Sequence, residues 1–170
     1  MIVRRARDLG TALALMALGA CGSAAQQSHY SSLTLNLGEV APRVHTKTLA
    51  DVGGDVSRIT TYRQPDERMY QYSVDQALAS GKPLLLEFAT PAHCTPCDRQ
   101  LQMIKSLLQK YQTKMIFIHM DQYNNPEAYK AYHVPGDPWT FVIDGRGIVR
   151  FQQAGSMLYS ELENAIQSAL

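Results

Sequence analysis

The chain has 170 residues, 16 basic against 15 acidic, and 45% of them are hydrophobic. No basic stripe marks it as an electrostatic binder of nucleic acid. It is long enough and apolar enough to bury one sizeable core.

Residues 1–20 read as an export signal. Arg4, Arg5 and Arg7 precede an apolar run from Leu9 to Ala20. That run is about a dozen residues, short of the roughly 20 a spanning helix needs. Its end, Leu18-Gly19-Ala20-Cys21, resembles the bacterial lipobox. The resemblance implies that Cys21 is diacylated and becomes the mature N-terminus, holding the protein to a bilayer by its lipid chains. Gly22 stands where Asp would retain such a protein at the inner membrane, so the expected location is the periplasmic face of the outer membrane. The alternative is an ordinary signal peptide with an incidental cysteine. From Cys21 onward 150 residues remain, with 13 basic and 14 acidic once three arginines and Asp8 are removed.

Residues 21–32 are small and polar, a flexible tether. Residues 33–69 read as an N-terminal extension with one or two strands: Leu33–Leu37 alternates, and Arg58–Tyr62 is β-prone. A domain spans 70–170. Ser73 and Gln76 form a capping box that opens a short helix ending near Gly81. Leu84–Ala89 is a continuous apolar run, as in a strand buried on both faces. Met103, Ile104, Leu107, Leu108 and Tyr111 recur at helical spacing, and Met115–Met120 is a second buried strand. Pro126 starts a helix to about Tyr132. Thr140–Ile143 and Ile148–Phe151 flank Asp144-Gly145-Arg146-Gly147, a hairpin signal. Leu158, Leu162, Ala165, Ile166 and Ala169 form the inner stripe of a closing helix, with Ser160 and Glu163 as its capping box. This order makes an α/β fold, a mixed sheet covered on both faces.

The other two of the three cysteines form Cys94-Thr95-Pro96-Cys97, after a strand and at the start of a helix. Unsatisfied first-turn N–H groups and the helix dipole stabilise a thiolate there. Cys94 is then the nucleophile that attacks a partner disulfide, and Cys97 resolves the mixed disulfide. As a purely structural bridge the pair would close too small a loop to stabilise much. A zinc site lacks its second half, because no further cysteine pair exists and the five histidines show no ligand spacing. A copper(I) site of Cys94, Cys97 and a distant histidine is the remaining metal alternative.

Residues from about Val74 to Leu170 resemble the thioredoxin superfamily, in style the membrane-tethered TlpA-like thiol–disulfide oxidoreductases of bacteria. The resemblance rests on Gly81-Lys82-Pro83, the strand Leu84–Phe88, Cys94-Thr95-Pro96-Cys97, Asp121-Gln122 and Val134-Pro135-Gly136-Asp137-Pro138. It implies a thioredoxin-like three-layer fold and a thiol–disulfide oxidoreductase that needs no cofactor. Pro138 inherits the place of a cis-proline facing the cysteines, and the Asp137 backbone that of a partner for an incoming peptide. Glu87 falls where the family carries a buried acid beneath the second cysteine. Desolvation would raise its pKa, and it would exchange a proton with Cys97; alternatively it lies at an edge or pairs with Lys82.

Three departures from the family fall around the partner surface. His93 replaces an aromatic residue, the loop before Cys94 is one residue longer, and Trp139 replaces the usual threonine. His93 either stabilises the Cys94 thiolate or is solvated, and Trp139 is read as a partner contact rather than core. His119 is read as a satisfied core histidine and His133 as surface. The substrate-binding set is therefore His93, Thr95, Pro96, Asp137 and Trp139. Pro96 before the second cysteine resembles the reductants of the superfamily, so the resemblance implies envelope protein thiols and disulfides as partners, the membrane through the lipid anchor, and, if the protein is a reductant, an upstream membrane electron donor. Competing functions are a copper chaperone using the same cysteines, or a binding lipoprotein whose extension makes the important contact.

Overall fold

The structure is a computed structural model that describes residues 34–170. The segments expected to form an export signal and a tether, Cys21 and Leu33 among them, lie outside the described residues. Helix α1 (Val74–Ala79) leads to strand β1 (Leu84–Phe88), helix α2 (Thr95–Tyr111) and strand β2 (Ile116–Met120). Helix α3 (Pro126–Ala131), strands β3 (Trp139–Ile143) and β4 (Val149–Ala154), and helix α4 (Tyr159–Gln167) complete the chain. The sheet order is β2-β1-β3-β4. β1 runs parallel to β2 and antiparallel to β3, and β3 is antiparallel to β4.

All residues of β1, β2 and β3 are buried, which is why these segments are apolar without alternation. Leu85, Phe117 and Val142 pack with Leu101 and Ile104 of α2 and Leu162 and Ile166 of α4. Leu84, Leu86, Phe88, Ile118 and Phe141 face the other way, toward Val74 of α1 and Tyr129 of α3. The result is the three-layer α/β arrangement expected. In the β3–β4 connection Gly147 takes φ +80, and Asp144 Oδ1 accepts from the N–H groups of Arg146 and Ile148. No helix among the described residues is long and apolar enough to cross a membrane.

Two local expectations are corrected. The closing helix is not capped by Ser160 and Glu163; Glu161 Oε2 accepts from the Leu158 N–H at 2.7 Å instead. Glu163 turns toward α2, where it accepts from Tyr111 Oη and pairs with Lys110. The extension forms no strand among its described residues. It consists of short 3₁₀ turns at Ala50–Val52, Val56–Arg58 and Glu67–Tyr70 and one isolated bridge, Val40 to Ile148. The physical reason lies in the threonines. Thr60 Oγ1 accepts from the Tyr62 N–H, and the Thr61 N–H and hydroxyl both donate to Asp121 Oδ2, at 2.8 and 2.6 Å. Side chains thus take up backbone groups that a strand would have paired, as such residues do in turns. The extension is nonetheless core: Ile59, Met69 and Tyr70 are at most 1% exposed and cluster with α2.

Candidate functional site

Cys94 and Cys97 are joined as a disulfide, with Cα atoms 5.3 Å apart. Cys94 is the N-cap of α2, in extended conformation, and Pro96 occupies the first turn. There Pro96 forfeits no helical bond, and its fixed φ fits. The Cys97 N–H donates to Cys94 Sγ at 3.2 Å. A thiolate on Cys94 would receive this donor and the positive end of a 17-residue helix. Cys94 is 8% exposed and Cys97 fully buried, so a partner reaches Cys94 first. Thr95 and Pro96, from the substrate-binding set, are exposed beside them.

The preceding loop, Ala89–His93, is held from several sides. His119 Nε2 lies 2.8 Å from the Ala89 carbonyl, and its Nδ1 lies 2.7 Å from Tyr70 Oη. Burial lowers the His119 pKa, so the ring is neutral: Nε2–H donates to Ala89 and Nδ1 accepts from Tyr70. Thr90 Oγ1 accepts from the Gln122 N–H, and Thr61 Oγ1 from the Ala92 N–H at 3.1 Å.

His93 is half-exposed and both its ring nitrogens are engaged. Nδ1 lies 3.2 Å from Tyr123 Oη and Nε2 lies 3.3 Å from Asp137 Oδ2. The Asp137 side chain is only 3% exposed; its Oδ1 accepts from Tyr129 Oη at 2.7 Å. Oδ2 has no aligned hydrogen-bond donor among the described residues and lies against the His93 ring. The contact sets the residue before Cys94 against the residue before Pro138. The Asp137–Pro138 peptide is cis.

Glu87 is fully buried on β1, and its partners are neither an edge nor Lys82. Gln100 Nε2 donates to its Oε1 and Thr140 Oγ1 to its Oε2, both at 2.7 Å. Desolvation pushes its pKa up to about 8, against the opposing effect of these two donors. Trp139, expected to meet a partner, is corrected to core. It is 3% exposed, stacks on Phe141 and donates Nε1–H to Gln152. The indole fills the inner side of β3, where burial outweighs exposure to a client. A depression of about 270 Å³ beside it, lined by Pro135, Asp137 and Pro138 among others, remains open.

Sequence reasoning missed Gln100, Thr140, Thr61, Tyr123 and Tyr129. Gln100 was detectable as an amide three residues after Cys97, on the apolar stripe of α2. Thr140 needed the β1–β3 register, which sets it opposite Glu87. Among the described residues no three His, Cys, Asp or Glu side chains gather as a metal centre would require.

A helix-capping cysteine pair on a three-layer, mixed-sheet scaffold defines a thioredoxin-like protein with a redox-capable dithiol. The family model described as Thioredoxin matches residues 66–168, and the chain belongs to that family. Among solved structures, the germline-specific thioredoxin Deadhead of Drosophila melanogaster is 19% identical, covering 75% of this chain and 99% of its own, with TM-score 0.51. Oxidised mitochondrial thioredoxin 3 of Saccharomyces cerevisiae is 22% identical, covering 53% of this chain and 81% of its own, with TM-score 0.46. Thioredoxin of Fasciola hepatica is 18% identical, covering 72% and 95%, with TM-score 0.48. A search of the curated proteins finds no match.

Proposed function

We propose that the protein is an exported, lipid-anchored thiol–disulfide oxidoreductase that reduces selected envelope disulfides through Cys94 and Cys97, in the manner of TlpA-like proteins. The observation that carries this is the disulfide at the N-terminus of α2, with one sulfur reachable and the other buried. In the reduced protein the Cys94 thiolate attacks a client disulfide, and the first client thiolate leaves. Cys97 loses its proton to Glu87 and attacks Cys94 Sγ. The mixed disulfide breaks, the second client thiolate leaves, and two electrons have passed from the dithiol to the client. Export and anchoring are supported by the lipobox-like Leu18–Cys21, and the reducing direction by Pro96 before the second cysteine.

Insulin reduction tests the chemistry. Cys94→Ser is expected to abolish it and Cys97→Ser to accumulate mixed disulfides; full activity in Cys94→Ser sinks the assignment. A reduction potential near that of thioredoxin, roughly −270 mV, supports a reductant, whereas one near −120 mV reverses the direction. Anchoring is read by palmitate labelling in a bacterial host, which Cys21→Ser should remove.

A further inference from the structure

We propose that Gln100 and Thr140 are positioning residues that hold the Glu87 carboxyl in one orientation and direct its proton to the oxygen facing Thr140. The inference rests on the proposed dithiol chemistry, in which Glu87 accepts the Cys97 proton. Glu87, Gln100 and Thr140 are all fully buried. The direction of every bond among them follows from one group outside the trio. The Met157 N–H can only donate, and its partner at 2.8 Å is Gln100 Oε1. The amide is thereby fixed, with Nε2 aimed at Glu87 Oε1 and also 3.0 Å from Thr140 Oγ1. Thr140 Oγ1 accepts there, which leaves its own proton for Glu87 Oε2.

Both carboxylate oxygens consequently receive a donor, the arrangement that favours the ionised form inside an apolar layer. When the carboxyl takes up a proton, one of those donors must give way. Gln100 cannot, because turning its amide would set two donors, Nε2–H and the Met157 N–H, against each other. Thr140 can, since a hydroxyl rotates to accept. The proton therefore comes to Oε2, with the Thr140 hydroxyl reversing as it arrives. No electrons move in this step; a proton leaves Cys97 and joins Glu87. Gln100 lies three residues beyond Cys97 on α2, so both project to the same inward face. Charged or titratable neighbours are few. His119, the β2 partner of Glu87, is neutral, and the Asp137 carboxylate ahead of β3 opposes ionisation.

The test follows the Glu87 titration by carbon-13 NMR in labelled oxidised protein, assigned by difference with Glu87→Gln. In Thr140→Val the ionised carboxyl loses a charge-assisted bond and the neutral one a weaker bond, so the midpoint should rise by about one pH unit. Thr140→Ser, which keeps the hydroxyl, should restore the wild-type midpoint. Gln100→Met should also raise it. An unmoved midpoint in both Thr140→Val and Gln100→Met overturns the proposal, as does a rise in Thr140→Ser equal to that in Thr140→Val, which would reveal a packing effect. In the reduced protein the pH profile of mixed-disulfide resolution should move with the NMR midpoint. Absence of disulfide exchange in the wild type defeats the functional reading, while the NMR midpoints still judge the positioning on their own.

Discussion

Burial of Glu87 gives the molecule a pH dependence whose sign is fixed. Its folded pKa is held up to about 8, mainly by desolvation, whereas an unfolded glutamate ionises near about 4.3. Between these values the folded chain binds more of this proton than the unfolded one. The stabilising contribution is complete below the unfolded value and is lost as pH rises through the folded one. His119 acts oppositely. Its pKa is lowered by burial, so its contribution is present above an unfolded value of about 6.5 and is lost as pH falls. Between about pH 6.5 and 8 the Glu87 effect is therefore dominant of the two, with a slope of at most about 1.4 kcal/mol per pH unit. Urea unfolding across that window should show stability falling in the wild type and a flattened trend in Glu87→Gln. An equal slope in the two proteins would assign the titration to another group.

At the scale of elements, the loop Ala89–His93 is held by a segment that precedes it by about thirty positions: Thr61 Oγ1 accepts from the Ala92 N–H and donates to buried Asp121. Thr61→Val keeps the shape and removes both bonds. The expected cost is about 1–3 kcal/mol, since a buried carboxylate loses a donor and an amide its acceptor. Urea unfolding reads the loss, and hydrogen exchange at the Ala92 amide should quicken beyond what global destabilisation explains. Protection unchanged at Ala92 would mean that the loop is held without Thr61. The same threonines show where the sequence stops being legible. Continuous apolar runs identified β1 and β2 to within a residue, because a strand buried on both faces admits little else, and the turn residues Asp144–Gly147 placed β3 before them. The pair Cys94/Cys97 was legible for a similar reason: a strand before it and a helix after it leave one local geometry. Arg58–Tyr62 has strand propensity too, yet the Thr60 hydroxyl lies 3.5 Å from His119 Nδ1 and the Thr61 hydroxyl donates to Asp121 Oδ2, contacts across about sixty positions that no local pattern encodes. Gln100 and Thr140 were hidden likewise, since their meaning depends on the register that brings β3 beneath α2.

For the whole molecule, the consequence is that the extension is built into the core of the domain rather than laid against it. The thioredoxin family match begins at residue 66, but Val52, Ile59 and Tyr62, all at most 8% exposed, belong to the same buried cluster as Cys97, Leu101 and Ile104. Three such side chains are worth about 5–8 kcal/mol of apolar burial. A domain of this size is stable by only about 5–15 kcal/mol in all. Removing residues 34–65 would also strip the Ala92 amide of Thr61. A protein so shortened, with its N-terminus otherwise retained, should lose most of its cooperative thermal transition and, with it, insulin reduction. Circular dichroism and the activity assay on one preparation check both together. If the extension instead served only to contact a partner, the shortened protein would melt cooperatively and reduce insulin at the full rate. That result would return the extension to a docking role and leave the family domain self-sufficient. Intermediate behaviour, a cooperative transition at lower temperature with slowed reduction, would still place the extension in the core and measure how much of the active-site loop's order depends on it.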